Sequence, residues 1–163
     1  MLGTAAAPHP GIFNVGMVAT ALAALLGALG LFAGLRALDA SLLLSFLTAG
    51  SLAMLAVSVA MSGLFPLPNP LRYGFNLILA GVLTPLLGSL ALRHAPRIAV
   101  AQWIMFAGFT SSVVVLAVAL GLGGIANDHN IGLWLRLVAL VSFSSIAFLC
   151  WVVRHRCVGD RRD

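Results

Sequence analysis

Long runs of uncharged, apolar residues alternate with short polar breaks along the chain, and the breaks divide it into five segments. Each segment has about the 20 mostly apolar residues that a helix needs to cross the ~30 Å hydrocarbon layer of a membrane. A lone strand would leave its backbone groups unpaired in lipid, so each segment is expected to be helical. The pattern predicts an all-α integral membrane protein, a bundle of five transmembrane helices. The predicted spans are residues 12–35, 40–64, 73–92, 98–122 and 132–153.

Short tails flank this predicted transmembrane domain, residues 12–153. Residues 1–11 are predicted to form an outer N-terminal tail, and residues 154–163 a basic cytoplasmic tail. The first apolar segment lacks a positively charged start, and it is longer than the apolar region of about 7–15 residues in a secretory signal. We therefore expect it to stay in the mature protein.

Composition indicates the same class of protein. Charged residues make up 8% of the 163 positions and hydrophobic residues 61%, with a mean hydropathy of +1.10. A soluble domain carries roughly 25% charged residues, with which it covers its surface. This chain has too few for that, so lipid is its expected solvent.

The positive charges are unevenly distributed between the two sides of the predicted bundle. All nine are arginines, and seven fall on one side. Cytoplasmic loops of membrane proteins carry such an excess, which predicts an outer N-terminus and a cytoplasmic C-terminus in the cytoplasmic (inner) membrane. The arginines form no basic stripe and accompany no nucleic-acid-binding signature, so we expect no nucleic-acid partner. The seven are Arg36, Arg93, Arg97, Arg154, Arg156, Arg161 and Arg162, against Arg72 and Arg136 on the other side.

Small residues at helical spacing predict close packing of the first two helices. In lipid, helices associate through close backbone approach and interhelical polar contacts. The hydroxyl row on the second segment has two interpretations: a polar conduit, or a packing seam in which each hydroxyl bonds the carbonyl four residues earlier. We favour the seam because no carboxylate, lysine or histidine accompanies the row. The predicted packing residues are Gly27, Gly30, Gly34, Ser41, Ser45 and Thr48.

Ionisable side chains are nearly absent from the predicted spans. The four acids all fall in loops or in the tail, and there is no glutamate. A carboxylate of the kind that proton-coupled carriers use is therefore not expected. The four histidines lie at helix ends or outside the helices, which argues against a bis-histidine haem site, and Cys150 and Cys157 lack metal-ligand spacing. We predict no cofactor, no metal and no catalytic residue.

Polar residues gather on the predicted outer side, around the stiff segment FPLPNP and before the fifth helix. Arg136 lies six residues beyond Asn130, or ~9 Å along a helix, which places it slightly inside the interface. An arginine at mid-bilayer costs ~2.5–3.5 kcal/mol, so this one needs compensation. Either it snorkels and pairs with Asp128, or it joins Arg72 in a site for an anion or a lipid headgroup. The candidate site comprises Arg72, Tyr73, Asn76, Asp128, His129 and Arg136.

Two short motifs carry a family resemblance. An "FN-G" element opens the first predicted helix, and a "G-FP" element ends the second; they consist of Phe13, Asn14 and Gly16, and of Gly63, Phe65 and Pro66. With them, the chain resembles the bacterial and archaeal membrane family called domain of unknown function 998, itself similar to eukaryotic Frag1/DRAM/Sfk1-type multi-pass proteins.

The resemblance implies a six-helix family without an assigned activity, of which this chain lacks the first helix. Family members commonly have a histidine pair after the second element, where this chain has Arg72, Tyr73 and Gly74. That difference removes the basis for a metal or proton role at this position.

We expect a non-enzymatic bundle that binds lipid or another amphiphile from the outer leaflet, or that serves as an accessory membrane subunit. Its expected partners are membrane lipids and either further copies of itself or a partner membrane chain. The alternative is a transporter or channel subunit acting as an oligomer. A third possibility is a lipid-modifying enzyme, for which Asp128 and His129 form the sole outer acid–base pair.

Overall fold

The structure, a computed structural model, describes residues 10–64, 78–93, 99–125 and 130–159. The described residues form five α-helices and no strand, which confirms the all-α prediction for this part of the chain. The helices are α1 (Pro10–Ala37), α2 (Leu42–Leu64), α3 (Ile78–Ala91), α4 (Ala99–Ala119) and α5 (Ile131–Gly159).

Four of the described helices, α1, α2, α4 and α5, are long and apolar enough to cross a membrane, with mean hydropathies from 1.7 to 2.2. The third, α3, is apolar but has 14 described residues. Residues 65–77, which include the start of the predicted third span, lie outside the described residues. The membrane crossing of residues 73–92, the total of five spans and the orientation of the termini therefore stay predictions.

Large apolar side chains cover much of the exterior. Leu26 on α1 is 70% exposed, and Val100 and Trp103 on α4 are 74% and 72% exposed. Monomeric soluble proteins rarely expose contiguous apolar surface on this scale, whereas lipid tails cover it without cost. The exterior is thus compatible with a membrane protein.

The helices form a bundle in which α2 packs between α1 and α3, and α4 packs against α3 and α5. Helix α3 also contacts α5, and α1 touches α5 over a short stretch, which closes a ring. Helices α1, α3 and α5 run in the same direction, because Gly34 of α1 and Gly88 of α3 both lie against the last three turns of α5.

The bundle therefore has two distinct ends. We call the end with Arg36, Arg93, Arg154 and Arg156 the arginine-rich end, and the end where α1, α3 and α5 begin the opposite end. The main buried apolar cluster lies in the arginine-rich half, where Leu35, Leu149 and Met105 are fully buried.

Glycines mark the closest helix crossings. At five described glycines, a Cβ atom would approach a neighbouring helix more closely than real Cβ atoms do. Such small residues allow the close backbone approach on which helix association in lipid depends. They are Gly34, Gly63, Gly81, Gly88 and Gly108.

Two helices end with a residue in the left-handed region. After α1, Asp39 has a φ of 56°, and the Ala40 N–H donates to the Leu35 carbonyl at 3.1 Å. After α4, Gly121 has a φ of 93°, and the Leu122 N–H donates to the Ala117 carbonyl at 3.0 Å. Both are Schellman endings, which use carbonyls that the helix leaves unpaired.

We expect Gly121→Ala to lower the free energy of unfolding by about 1 kcal/mol, since a Cβ atom is disfavoured in the left-handed region. Asp39→Gly is expected to be neutral or stabilising for the same reason. Gly16→Ala in α1, where an added Cβ meets nothing within 4 Å, is the matched control and should not destabilise. Unfolding in detergent, followed by circular dichroism, measures all three. A Gly121→Ala protein as stable as the wild type would contradict the assignment of this helix ending.

Candidate functional site

Of the six residues predicted to form the outer site, Arg136 lies within the described residues. It is in the second turn of α5, its side chain is exposed, and it makes no hydrogen bond or ion pair within the described part of the chain. Both interpretations of Arg136 therefore stay open. The other five lie outside the described residues: Arg72, Tyr73, Asn76, Asp128 and His129.

Two buried polar atoms near the opposite end have no hydrogen-bond partner within the described residues. They are Oδ1 of Asn14, early in α1, and Nε1 of Trp134, in the first turn of α5. An unsatisfied buried polar atom costs about 1–3 kcal/mol. A ligand that offers a donor to Asn14 or an acceptor to Trp134 would remove that cost. Neither atom could be identified as a site from the sequence, because an unpaired atom becomes visible only when the packing is known.

The hydroxyl row predicted to pack the second helix has partners within its own helix. Ser45 and Thr48 are fully buried, and their hydroxyls donate to the carbonyls of Ser41 and Leu44 at 2.9 and 2.7 Å. Ser41 itself is exposed, and its Oγ accepts the Leu44 N–H at 3.3 Å, so it caps the start of α2. This arrangement is that of a packing seam.

Two hydroxyl pairs join neighbouring helices. Ser51 of α2 and Thr84 of α3 are 2.8 Å apart between their hydroxyl oxygens. Ser142 of α5 donates to Ser112 of α4 at 3.3 Å. All four side chains are buried, so these hydrogen bonds give the hydroxyls polar partners, which lipid tails could not provide.

The three glycines predicted to pack α1 have different surroundings. At Gly34, a Cβ atom would collide with Cγ1 of Val153 on α5, and Sγ of Cys157 lies 3.6 Å from the Gly34 carbonyl oxygen. At Gly27 and Gly30, a Cβ atom would meet nothing within 4 Å. Helices α1 and α5 therefore meet at Gly34 and diverge towards Gly27.

This divergence creates an open groove of about 390 Å³, which we call the α1–α5 groove. One wall consists of Gly27, Gly30, Leu31 and Gly34. The other consists of Cys150, Val153, Arg154 and Cys157. Each set repeats the i, i+3, i+4, i+7 spacing that aligns residues on one helix face. The three glycines were predicted to pack against a helix; in the structure Gly34 contacts α5, and all three line this groove.

The groove presents two thiols and one guanidinium. Both cysteines are free thiols two helical turns apart, a rise of ~10.5 Å, which is too far for a disulfide. The described residues contain no group of three or more histidine, cysteine or acidic residues that could hold a metal ion. Among the described residues that line the groove, Arg154 is the charged one.

Comparison with known proteins identified no relative of the chain. The resemblance to domain of unknown function 998 rests on the motif residues quoted above and stays a prediction. No protein-family model, curated protein or solved structure matches the chain.

Proposed function

We propose that the chain is a non-enzymatic, five-span protein of the cytoplasmic membrane that binds a lipid or another amphiphile at the opposite end of the bundle. In this proposal the opposite end and the N-terminus face outward. Residues 73–92 cross the membrane as the third span, which brings the total to five. The observation that carries the proposal is the pair of buried, unpartnered polar atoms, Asn14 Oδ1 and Trp134 Nε1.

The two atoms lie on different helices, α1 and α5, and need different partners. The Asn14 oxygen requires a donor, and the Trp134 indole N–H requires an acceptor. A phospholipid headgroup carries phosphate oxygens as acceptors and often has hydroxyl or ammonium groups as donors. Arg136 lies two residues after Trp134, on another side of α5, and its exposed side chain adds a cation at the same end of the bundle. This cation supports a headgroup with a negative charge.

The distribution of arginines supports the proposed orientation. Arg36, Arg93, Arg154 and Arg156 lie at the arginine-rich end, whereas Arg136 is the described arginine near the opposite end. When the arginine-rich end of the bundle faces the cytoplasm, the beginning of α5 lies on the outer side of the membrane.

Neither of the other two functions gains support of its own. A transporter or channel subunit needs a hydrated path, and the hydroxyls of Ser45, Thr48 and Ser51 are instead bonded to backbone carbonyls. A lipid-modifying enzyme needs Asp128 and His129, which lie outside the described residues.

Native mass spectrometry of the protein, extracted gently from its own membrane, tests the proposal. The wild type is expected to retain a lipid or amphiphile that the double variant Arg72→Ala/Arg136→Ala loses. Trp134→Phe, which removes the indole N–H together with one of the two rings, should weaken retention by at least the roughly two- to tenfold effect of one hydrogen bond. The matched control is Trp103→Phe at the exposed surface of α4, which should retain the ligand as the wild type does.

Identical, ligand-free spectra for all four proteins would overturn the proposal. Co-purification of a different membrane chain in place of a lipid would show an accessory subunit instead.

A further inference from the structure

We propose that the α1–α5 groove is a second lipid site, which binds one anionic phospholipid with an acyl chain between the helices and the phosphate on the Arg154 guanidinium. This site is at the arginine-rich end, and it does not depend on the ligand proposed for the opposite end. The lipid that it binds comes from the leaflet that surrounds the arginine-rich end.

The shape of the groove matches an acyl chain. The groove is narrowest where Gly34 contacts Val153 and widens over seven residues towards Gly27, a helix rise of ~10.5 Å. Apart from Arg154, its walls are glycine backbone, aliphatic side chains and thiols. An empty groove of this kind forfeits the van der Waals contacts that a flexible hydrocarbon chain supplies.

The charge at the groove selects the headgroup. Arg154 is exposed and makes no hydrogen bond or ion pair within the described part of the chain. It lies five residues before the end of α5, or ~7.5 Å, which places it near the level of the headgroups when α5 spans the membrane. A guanidinium binds phosphate oxygens in a bidentate manner, and the nearby Arg36 is already directed to the Ala40 carbonyl.

A helix fits this groove less well than a lipid does. A helix with its side chains is ~10–12 Å across, and the narrow end of the groove is closed by the Gly34–Val153 contact. A second apolar helix would also bury Arg154 without an anion, at the cost of desolvating its charge. A lipid places the phosphate at the arginine and the hydrocarbon at the glycines.

The test uses the full-length protein in neutral detergent, titrated with phosphatidylglycerol or phosphatidylcholine and followed by native mass spectrometry. Besides the ligand proposed for the opposite end, the wild type is expected to bind one phosphatidylglycerol in this groove, in preference to phosphatidylcholine. Arg154→Gln should reduce the affinity for phosphatidylglycerol about fivefold, the effect of one arginine at a membrane surface, and abolish the preference. Gly30→Leu should fill the groove and reduce binding of both lipids.

Two controls separate this site from other effects. Gly50→Leu adds the same side chain to α2 at a position where a Cβ meets nothing within 4 Å, and it should bind as the wild type does. Arg136→Ala should lose only the ligand proposed for the opposite end and keep the phosphatidylglycerol whose binding depends on Arg154, so that the failure of either lipid site can be recognised independently. Soluble glycerol phosphate should not compete, because it lacks the hydrocarbon chain.

Equal affinity of the wild type for the two lipids would overturn the proposal. So would undiminished phosphatidylglycerol binding by Gly30→Leu and Arg154→Gln. A protein dimer that forms without lipid and is lost in Gly30→Leu would assign the groove to a second copy of the chain and would also overturn it. Arg154→Gln leaves the buried core untouched, so its result stands even if Gly30→Leu fails to fold.

Discussion

Replacing Gly63 with leucine is expected to push the beginning of α1 away from the end of α2 and to lower the free energy of unfolding by about 3 kcal/mol, the upper part of the range for overpacking. A Cβ atom at Gly63 would lie 2.8 Å from Cβ of Met17 and 3.0 Å from the main-chain oxygen of Asn14. Neither atom can rotate away, because both are fixed by the backbone of α1. The helices themselves must therefore move.

The same leucine at Gly50 is the matched control for Gly63→Leu. Gly50 lies on the same helix, and an added Cβ there meets nothing within 4 Å. Denaturation with sodium dodecyl sulfate, monitored by circular dichroism, measures both proteins against the wild type. Equal midpoints for the two variants would contradict the close crossing of α1 and α2. Movement of α1 at Asn14 should also reduce retention of the ligand proposed at the opposite end.

The spans were predictable because lipid imposes them locally. The first segment, predicted as residues 12–35, corresponds to α1, Pro10–Ala37, since the first charged residue after the apolar run is Arg36. The second, predicted as residues 40–64, corresponds to α2, Leu42–Leu64, whose start is displaced because Asp39 and Ala40 complete the ending of α1. In these two segments the run of apolar residues fixes the extent of the helix, and the hydrogen bonds at its ends adjust it by a turn or less.

The neighbour of each small residue was not predictable in this way. The spacing of Gly27, Gly30 and Gly34 places them on one helix face, but it does not specify the distance to the facing helix. That distance depends on Val153 and Cys157, more than a hundred residues later. The i, i+3, i+4 rule therefore found the face and missed the groove.

The unpaired atoms of Asn14 and Trp134 show the same limit. A sequence shows a polar residue in an apolar run, but only tertiary packing decides whether its polar atom is shielded. The motif residues Asn14 and Gly63 are nevertheless close in the structure. The main-chain oxygen of Asn14 lies next to the position that a side chain at Gly63 would occupy. Two elements 49 positions apart thus meet at one crossing, which gives the glycine a packing reason that holds with or without the family resemblance.

Gly88 and Leu149 are expected to show strong coupling in a double-mutant cycle. Leu149 of α5 is fully buried, and a Cβ atom at Gly88 of α3 would lie 2.7 Å from its Cδ1 and 3.1 Å from its Cγ. Gly88→Ala should therefore destabilise by about 1–3 kcal/mol through overpacking. Leu149→Ala should destabilise by about 2–5 kcal/mol, because it leaves a cavity between the helices.

The double variant should be more stable than the sum of these losses predicts, by about 1–2 kcal/mol, because the new methyl group enters the space that the leucine vacates. Gly50→Ala combined with Leu149→Ala is the control, and its effects should add, since Gly50 has no neighbour within 4 Å of an added Cβ. The four free energies of each cycle come from the same detergent titrations. Additive losses at Gly88 and Leu149 would mean that α3 and α5 do not cross here. A favourable coupling would place the two residues in contact. It would thereby fix the rotation of α5, the rotation that directs Cys150 and Arg154 towards α1.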